Sequence, residues 1–336
     1  MSDTITLKKM APSTDPTSPA VSAPRQTVSK PLPPSVPYRR ALTRPKRRWH
    51  ERVIEAGLFM AAASSILITL GIVGILLYES LQFFRHVPLI DFLTDTQWTP
   101  LFSEPHYGIL PLITGTLVVA TVALLFALPV GTITSIYLSE YAPHKLREVT
   151  KPFLELLSAV PTVVFGYFAL LFVTPILQKF IPGLSTFNML SAGLVIGIMI
   201  IPYVCSISED AMKAVPMHLR EGSYALGATK MQTALRVIVP SAFSGISSAY
   251  VLAFSRAIGE TMVVAIAAGM QPNMTLNPLE QAETITAYIV QVALGDLPHG
   301  SIGYQTIFAA GLTLMVMTLI FNLIGYYLRK RFREVY

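Results

Sequence analysis

The 336-residue chain has a single cysteine, Cys205, and it lies in an apolar run. One thiol excludes an internal disulfide framework and a multi-thiolate metal site. The six histidines are scattered, with no HExxH pair or similar ligand spacing. Charge is scarce too: Asp, Glu, Lys and Arg make up 13% of the residues, about half the ~25% of an ordinary soluble protein. No GxxxxGK[ST] occurs, so the chain has no phosphate-cradling loop of its own. No nucleophile–base constellation stands out. If the chain moves a solute uphill, the energy comes from a partner or from an ion gradient.

What is abundant is apolar sequence. Hydrophobic residues make up 52% of the chain, and the mean hydropathy is +0.56. Six apolar runs, at about 56–84, 109–138, 153–178, 189–208, 241–269 and 303–328, each reach the ~20 residues that cross a hydrocarbon core. The first is too long for the ~7–15-residue core of a signal peptide and reads as an uncleaved span. The expected fold is therefore all-α, a polytopic membrane protein with six transmembrane helices. An even number of spans puts both termini on one side. The segments 1–55, 139–152, 209–240 and 329–336 hold 22 of the 25 basic residues, while the opposite loops hold only Arg85 and Lys179. The positive-inside bias makes the first set cytoplasmic.

Residues 1 to about 45 are rich in Pro, Ser and Thr without apolar periodicity, and read as disordered. The tail ends in Arg39, Arg40, Arg44, Lys46, Arg47, Arg48 and Arg52. Such a cluster suits a nucleic-acid patch or an anchor on anionic lipid. Because it abuts a span, the lipid anchor is the reading adopted, with no nucleic-acid partner. The expected division is a tail at 1–50, a first span with a long outside loop at 51–108, and a five-helix core at 109–336 carrying a cytoplasmic loop at 209–240. Outside loops 85–108 and 270–302 are long enough to suggest a role. Trp98 and Tyr107 suit a membrane interface. Pro111, Pro129, Pro161, Pro175 and Pro202 are expected to bend their spans.

Two places are chemically distinctive. The stretch Glu221–Pro240, EGSYALGATKMQTALRVIVP, lies between spans yet is charged, so it cannot sit in hydrocarbon without large cost. It reads as two short amphipathic helices separated by Gly227, which can take the left-handed conformation that ends the first. Such a loop fits a groove on a soluble partner or lies on the bilayer surface. The second place is SRAIGET, with Arg256 and Glu260 deep in the fifth run. Four residues apart on one helix, they would share a face. Intramembrane charge is costly and marks an aqueous path or a structural ion pair. The planar fork of Arg suits an oxyanion.

Glu221, Gly227 and Pro240 stand at the spacing of the "EAA" loop of ABC-importer permeases, with Val237 and Val239 where Ile and Leu are usual. Gly222 and Ser223 depart from the two alanines of that motif. GILPLITGTL (108–117), IYLSEYAP (136–143), LELLSAVPTVVFGYFAL (154–170), EGSYALGATK (221–230) and SRAIGETMVV (255–264) together resemble the phosphate-importer permeases. The first outside loop, with Trp98-Thr99-Pro100 and the run Tyr107–Pro111, resembles the PstC subunit more than its sister PstA. The resemblance covers residues from about 85 to 336. It implies a type I ABC-importer permease fold in the inner membrane. It also implies a second homologous permease subunit, two ATP-binding subunits on the cytoplasmic face, and an extracytoplasmic phosphate-binding protein. ATP belongs to the partner, so the chain itself takes no cofactor and is not the enzyme. The resemblance assigns ATPase coupling to Arg220, Glu221, Gly222 and Gly227, and phosphate passage to Arg256 and Glu260. The alternatives are another oxyanion as cargo (sulfate, molybdate), the sister PstA-type subunit, an ion-gradient secondary transporter and a membrane phosphate sensor.

Overall fold

The computed structural model describes residues 49–331. The Pro-rich tail, its basic residues from Arg39 to Arg48, and Arg333 lie outside the described residues. The chain divides into two compact units, Met1–Ala63 and Ser64–Tyr336. The described part of the first is helical, the beginning of α1 (Trp49–His86). In the second follow α2 (Leu89–Thr94), α3 (Leu110–Ile136), α4 (His144–Ala159), α5 (Thr162–Phe168), α6 (Thr174–Phe180) and α7 (Met189–Lys213). Then come α8 (Met217–Ala225), α9 (Lys230–Thr233), α10 (Val239–Ser241), α11 (Phe243–Ile258), α12 (Met262–Ala267), α13 (Ile285–Ala293) and α14 (Ile302–Arg331). The only β-type pairing among the described residues is one isolated bridge, Trp98 to Tyr107.

Among the described residues, five helical stretches are long and apolar enough to span a membrane: Glu51–His86, Leu110–Tyr141, Thr162–Phe180, Met189–Lys213 and Ile302–Arg331. A sixth is a pair, Lys230–Ser241 and Phe243–Ile258, bent by 71°. The all-α, six-span expectation matches this architecture, but three of its limits change. The run at 153–178 is not one helix. Val160 before Pro161 is extended (φ −66°, ψ 130°), as steric clash with a proline ring requires, so α4 ends there and the span begins at Thr162. The run at 241–269 is also divided: α11 stops at Ile258, and α12 starts only after Gly259, Glu260 and Thr261. Finally, loop 270–302 contains a helix of its own, α13, whose Ile285, Thr286, Ala287 and Tyr288 are all buried.

Of the prolines expected to bend spans, Pro129 and Pro202 lie inside the unbroken α3 and α7, and Pro111 sits in the first turn of α3; three prolines act through a specific device. The chain has three π-helical turns among the described residues, Tyr137–Tyr141, Ala169–Val173 and Ala234–Ile238. Each ends two residues before a proline: Pro143, Pro175 and Pro240. In each, the residue preceding the proline donates its N–H five residues back: Ala142 to Tyr137, Thr174 to Ala169 and Val239 to Ala234. A proline ring collides with the carbonyl four residues earlier. Widening the turn by one residue relieves that collision while the backbone stays bonded.

The core lies between α3, α7, α11 and α12, where Ala123, Ile196, Met199 and Val263 are wholly buried or nearly so. The seam between α3 and α7 is closed by small residues from both sides. A Cβ on Gly193 of α7 would come within 2.7 Å of Val122, and one on Gly131 of α3 within 2.8 Å of Val204. The first outside loop folds as well. Trp98, expected at a membrane interface, is buried, with its ring 4.9 Å from that of Tyr288 and edge-on to it. Phe83, Phe84, Phe92 and Tyr107 complete the aromatic cluster. Six rings in edge-to-face contact bury more apolar area than Trp98 would at the headgroup level.

Candidate functional site

The Glu221–Pro240 stretch forms the two helices read from its sequence. Gly227 has φ +80°. Its N–H reaches the Tyr224 carbonyl (2.9 Å) and that of Ala228 reaches Ser223 (3.2 Å). This paired bonding closes the end of α8 and needs the left-handed residue between. Thr229 then caps α9, accepting from Gln232 N–H, while the Gln232 side chain accepts from Thr229 N–H. That reciprocal box was legible as Thr-x-x-Gln. The Ser223 and Thr233 hydroxyls share a hydrogen bond of 2.8 Å between the two helices. Ser223, a departure from the family alanine, thus has a structural use.

The loop is seated on the spans by its inner face and leaves its outer face bare. Ile238, Ala242 and Ile246 pack with Met212 and Val215 at the end of α7. At the tip, Leu226 is 91% exposed, and Met217, Tyr224 and Met231 are exposed beside it. Glu221 and Gly222 are exposed on the same short helix. A Cβ at Gly222 would meet nothing within 4 Å, so this chain's own packing does not require glycine there.

Arg220 differs from its neighbours. Its guanidinium turns inward, donating to Val215 O (2.6 Å) and Met212 O (2.8 Å), and pairs with Glu140 at 3.2 Å. It holds α8 against α7 and the π turn after α3, and its polar head does not face outward. Beside it, Arg147 of α4 donates to Leu138 O and Ser139 O. Glu209 of α7, 1% exposed, is ringed by Arg147 (3.5 Å), Lys151 (3.1 Å) and Lys213. A buried carboxylate survives only with such partners. Burial alone would lower the Lys151 amine, but its donation to the Glu209 and Asp210 carboxylates outweighs that and holds it above its usual range. Neither Glu140 nor Glu209 was singled out from sequence. Glu209 carried a signal nonetheless, as a carboxylate at the end of an apolar run with Lys213 four residues on.

Arg256 and Glu260 do not form the shared face expected of them. The helix bearing Arg256 ends at Ile258, and Glu260 lies in the break before α12. No ion pair within 4 Å joins them. Instead the Arg256 guanidinium sits 4.5 Å above the ring of Tyr203, a cation–π arrangement. Its Nε is buried without a hydrogen-bond partner. Glu260 is buried; its carboxylate makes a long contact with Val263 N–H (3.5 Å), and its carbonyl accepts from the Thr286 hydroxyl (2.7 Å). Tyr203 also lines a cleft of ≈200 Å³ between α4 and α7, with Lys151, Ser158 and Ser206. Glycine at position 259 was visible in the sequence as a helix terminator, but the apolar run continuing to 269 concealed it.

Residues 127–334, more than half of the chain, match the family described as "Binding-protein-dependent transport system inner membrane component". The chain belongs to that family. Its membership makes it a multi-pass inner-membrane permease component, and such components are not themselves catalytic. A probable ABC transporter permease protein, YqgH of Bacillus subtilis, is 38% identical over 83% of this chain and 89% of that protein. The phosphate transport system permease protein PstC of Mesorhizobium japonicum is 32% identical over 81% of this chain and 88% of its own length. A probable PstC of Methanocaldococcus jannaschii is 31% identical over 75% and 87%. Among solved structures, a bacterial alginate ABC transporter in complex with a pentasaccharide-bound periplasmic protein superposes with a TM-score of 0.59, at 17% identity over 86% of this chain and 99% of that one. The MetNI methionine ABC transporter in an inward-facing conformation gives 0.51, at 18% identity over 68% and 95%. At such identities these two speak to the fold alone, and it is the importer-permease fold.

Proposed function

We propose that the chain is the PstC-type permease subunit of an ATP-driven phosphate importer and forms half of the translocation path. The observation that carries this reading is the identity of 31–32% to PstC proteins over three quarters or more of the chain. The site chemistry supports it. Arg256 presents a planar, permanently charged donor set beside a break in its helix, and its Nε has no competing partner. A phosphate oxyanion in transit would accept those donors better than it would an ammonium. Glu260, buried four residues on, would accept a proton-bearing phosphate oxygen and repel a fully ionised one.

In this reading Glu221, Gly222, Gly227 and the bare apolar tip at Leu226 meet a cytoplasmic ATP-binding subunit. Arg220 works from behind, fixing the loop to α7 and to Glu140. A second permease subunit completes the path, two ATP-binding subunits drive it, and an extracytoplasmic phosphate-binding protein delivers to the outer loops. Both termini face the cytoplasm, because 22 of 25 basic residues lie on that side. The decisive experiment is uptake of labelled phosphate in cells lacking other phosphate carriers, with and without this chain. Uptake should require the chain and resist competition by excess sulfate or molybdate. Uptake that is indifferent to the chain, or is abolished by sulfate, would overturn the assignment.

A further inference from the structure

The end of α14 and the beginning of α11 border an open pocket of ≈450 Å³ with an unusual charge balance. Ser244, Gly245 and Ser248 line it from α11, and Tyr326, Arg329 and Lys330 from α14. Arg329 Nη1 reaches the Ser248 hydroxyl at 3.4 Å, while its Nε is buried and has no partner among the described residues. No carboxylate lies within 4 Å of Arg329 or Lys330 among the described residues. The inward-turned cations at this end of the bundle are compensated: Arg147, Lys151 and Lys213 by Glu209, and Arg220 by Glu140. Cations in a last turn do stabilise a helix C-terminus. That effect does not explain an Arg turned onto Ser248 in the first turns, the positive end, of another helix.

The surroundings identify what would neutralise the pocket. Leu323, Ile324, Tyr327 and Leu328 of α14, and Leu252 of α11, within about two helical turns of the lining residues in sequence, are exposed. An occupant thus meets hydroxyl, guanidinium and ammonium donors at one end and apolar surface at the other. We propose that this pocket binds the phosphate group of an anionic phospholipid, whose acyl chains lie along α14. A basic pocket between spans at a membrane face has the donors for such a headgroup, and the Arg fork matches two phosphate oxygens. The bound lipid would tie α11, which carries Arg256 at its far end, to α14. The inference concerns the lipid side of the protein and does not rest on the nature of the cargo.

The test uses the assembled complex in nanodiscs of phosphatidylcholine containing a minor fraction of phosphatidylglycerol, with retained lipid measured by native mass spectrometry. Wild type should retain phosphatidylglycerol in preference. Arg329→Gln with Lys330→Gln should lose that preference by roughly thirtyfold, while Lys230→Gln, an exposed cation elsewhere, should not. Should the double variant fail to assemble, Ser248→Asp gives Arg329 a carboxylate and should expel the lipid from an intact complex. Equal retention by wild type and an assembled variant would overturn the proposal. Displacement of the lipid by inorganic phosphate would overturn it as well, by showing that the pocket takes the free anion.

Discussion

Arg220 Nη2 lies 3.2 Å from Glu140 Oε1, joining groups 80 residues apart in sequence. Their side chains are 12% and 8% exposed. Removing one partner of a buried pair strands the other, at a cost of about 3–5 kcal/mol. Arg220→Ala should therefore lower the melting temperature of the complex, whereas Glu140→Gln should do so less, because Arg220 keeps the Val215 and Met212 carbonyls and gains an amide oxygen. If the pair also transmits motion from α8 to α3, Glu140→Gln should leave ATPase activity intact but reduce uptake per ATP hydrolysed. Unchanged coupling in that variant would reduce the pair to a structural clamp.

Gly227→Val should block transport while the chain remains inserted. Left-handed backbone costs a non-glycine residue about 1–2 kcal/mol, and the paired bonds of Gly227 and Ala228 to the end of α8 depend on it. Leu226→Ala isolates the outer face from the turn. Because Leu226 is 91% exposed, its loss should not alter the stability of the chain but should weaken capture of the ATP-binding subunit. Normal phosphate uptake by Gly227→Val would contradict the coupling role of the loop.

Arg256→Gln should abolish uptake without abolishing assembly, and Arg256→Lys should recover little of it, since an ammonium does not reproduce the fork. The absence of an ion pair between Arg256 and Glu260 sharpens the test. Two residues that do not balance each other should not rescue each other, so the double change with Glu260→Gln should transport no better than Arg256→Gln alone. Near-normal uptake by the assembled double variant would remove both residues from the path.

Glu283, in the connection between α12 and α13, is buried, and burial pushes its carboxyl from 4.5 up to about 8. Between those values the folded chain binds a proton that the unfolded chain has released. The associated stability is present below pH 4.5 and is lost as pH rises through about 8. The melting temperature of the complex should thus fall across that window, and Glu283→Gln should flatten the fall. An identical slope in the variant would mean that other groups set it.

Much of this architecture was legible in the sequence because membrane spans and helix caps are local signals. Run length marked the spans, and Gly227 with Pro240 marked the loop. Long-range partners were not legible. Nothing within a few residues of Arg220 announces Glu140, and nothing near Trp98 announces Tyr288. The intramembrane pair misled for a physical reason. Helical spacing places residues 256 and 260 on one face only while the helix continues, and apolar residues up to 269 satisfy hydrocarbon whether or not they continue it.

The reciprocal glycines of α3 and α7 limit how the bundle can move. With Gly193 against Val122 and Gly131 against Val204, the two helices interlock at two points, at a separation that leaves no room for a Cβ on either glycine. The two therefore travel as a single stiff strut. Any opening to one face and then the other has to be absorbed beyond its edges, at the 71° bend before α11 and at the three-residue gap before α12. Filling the seam with larger side chains would separate the strut's halves. Restraining the bend or the gap would leave the strut whole and stop its swing.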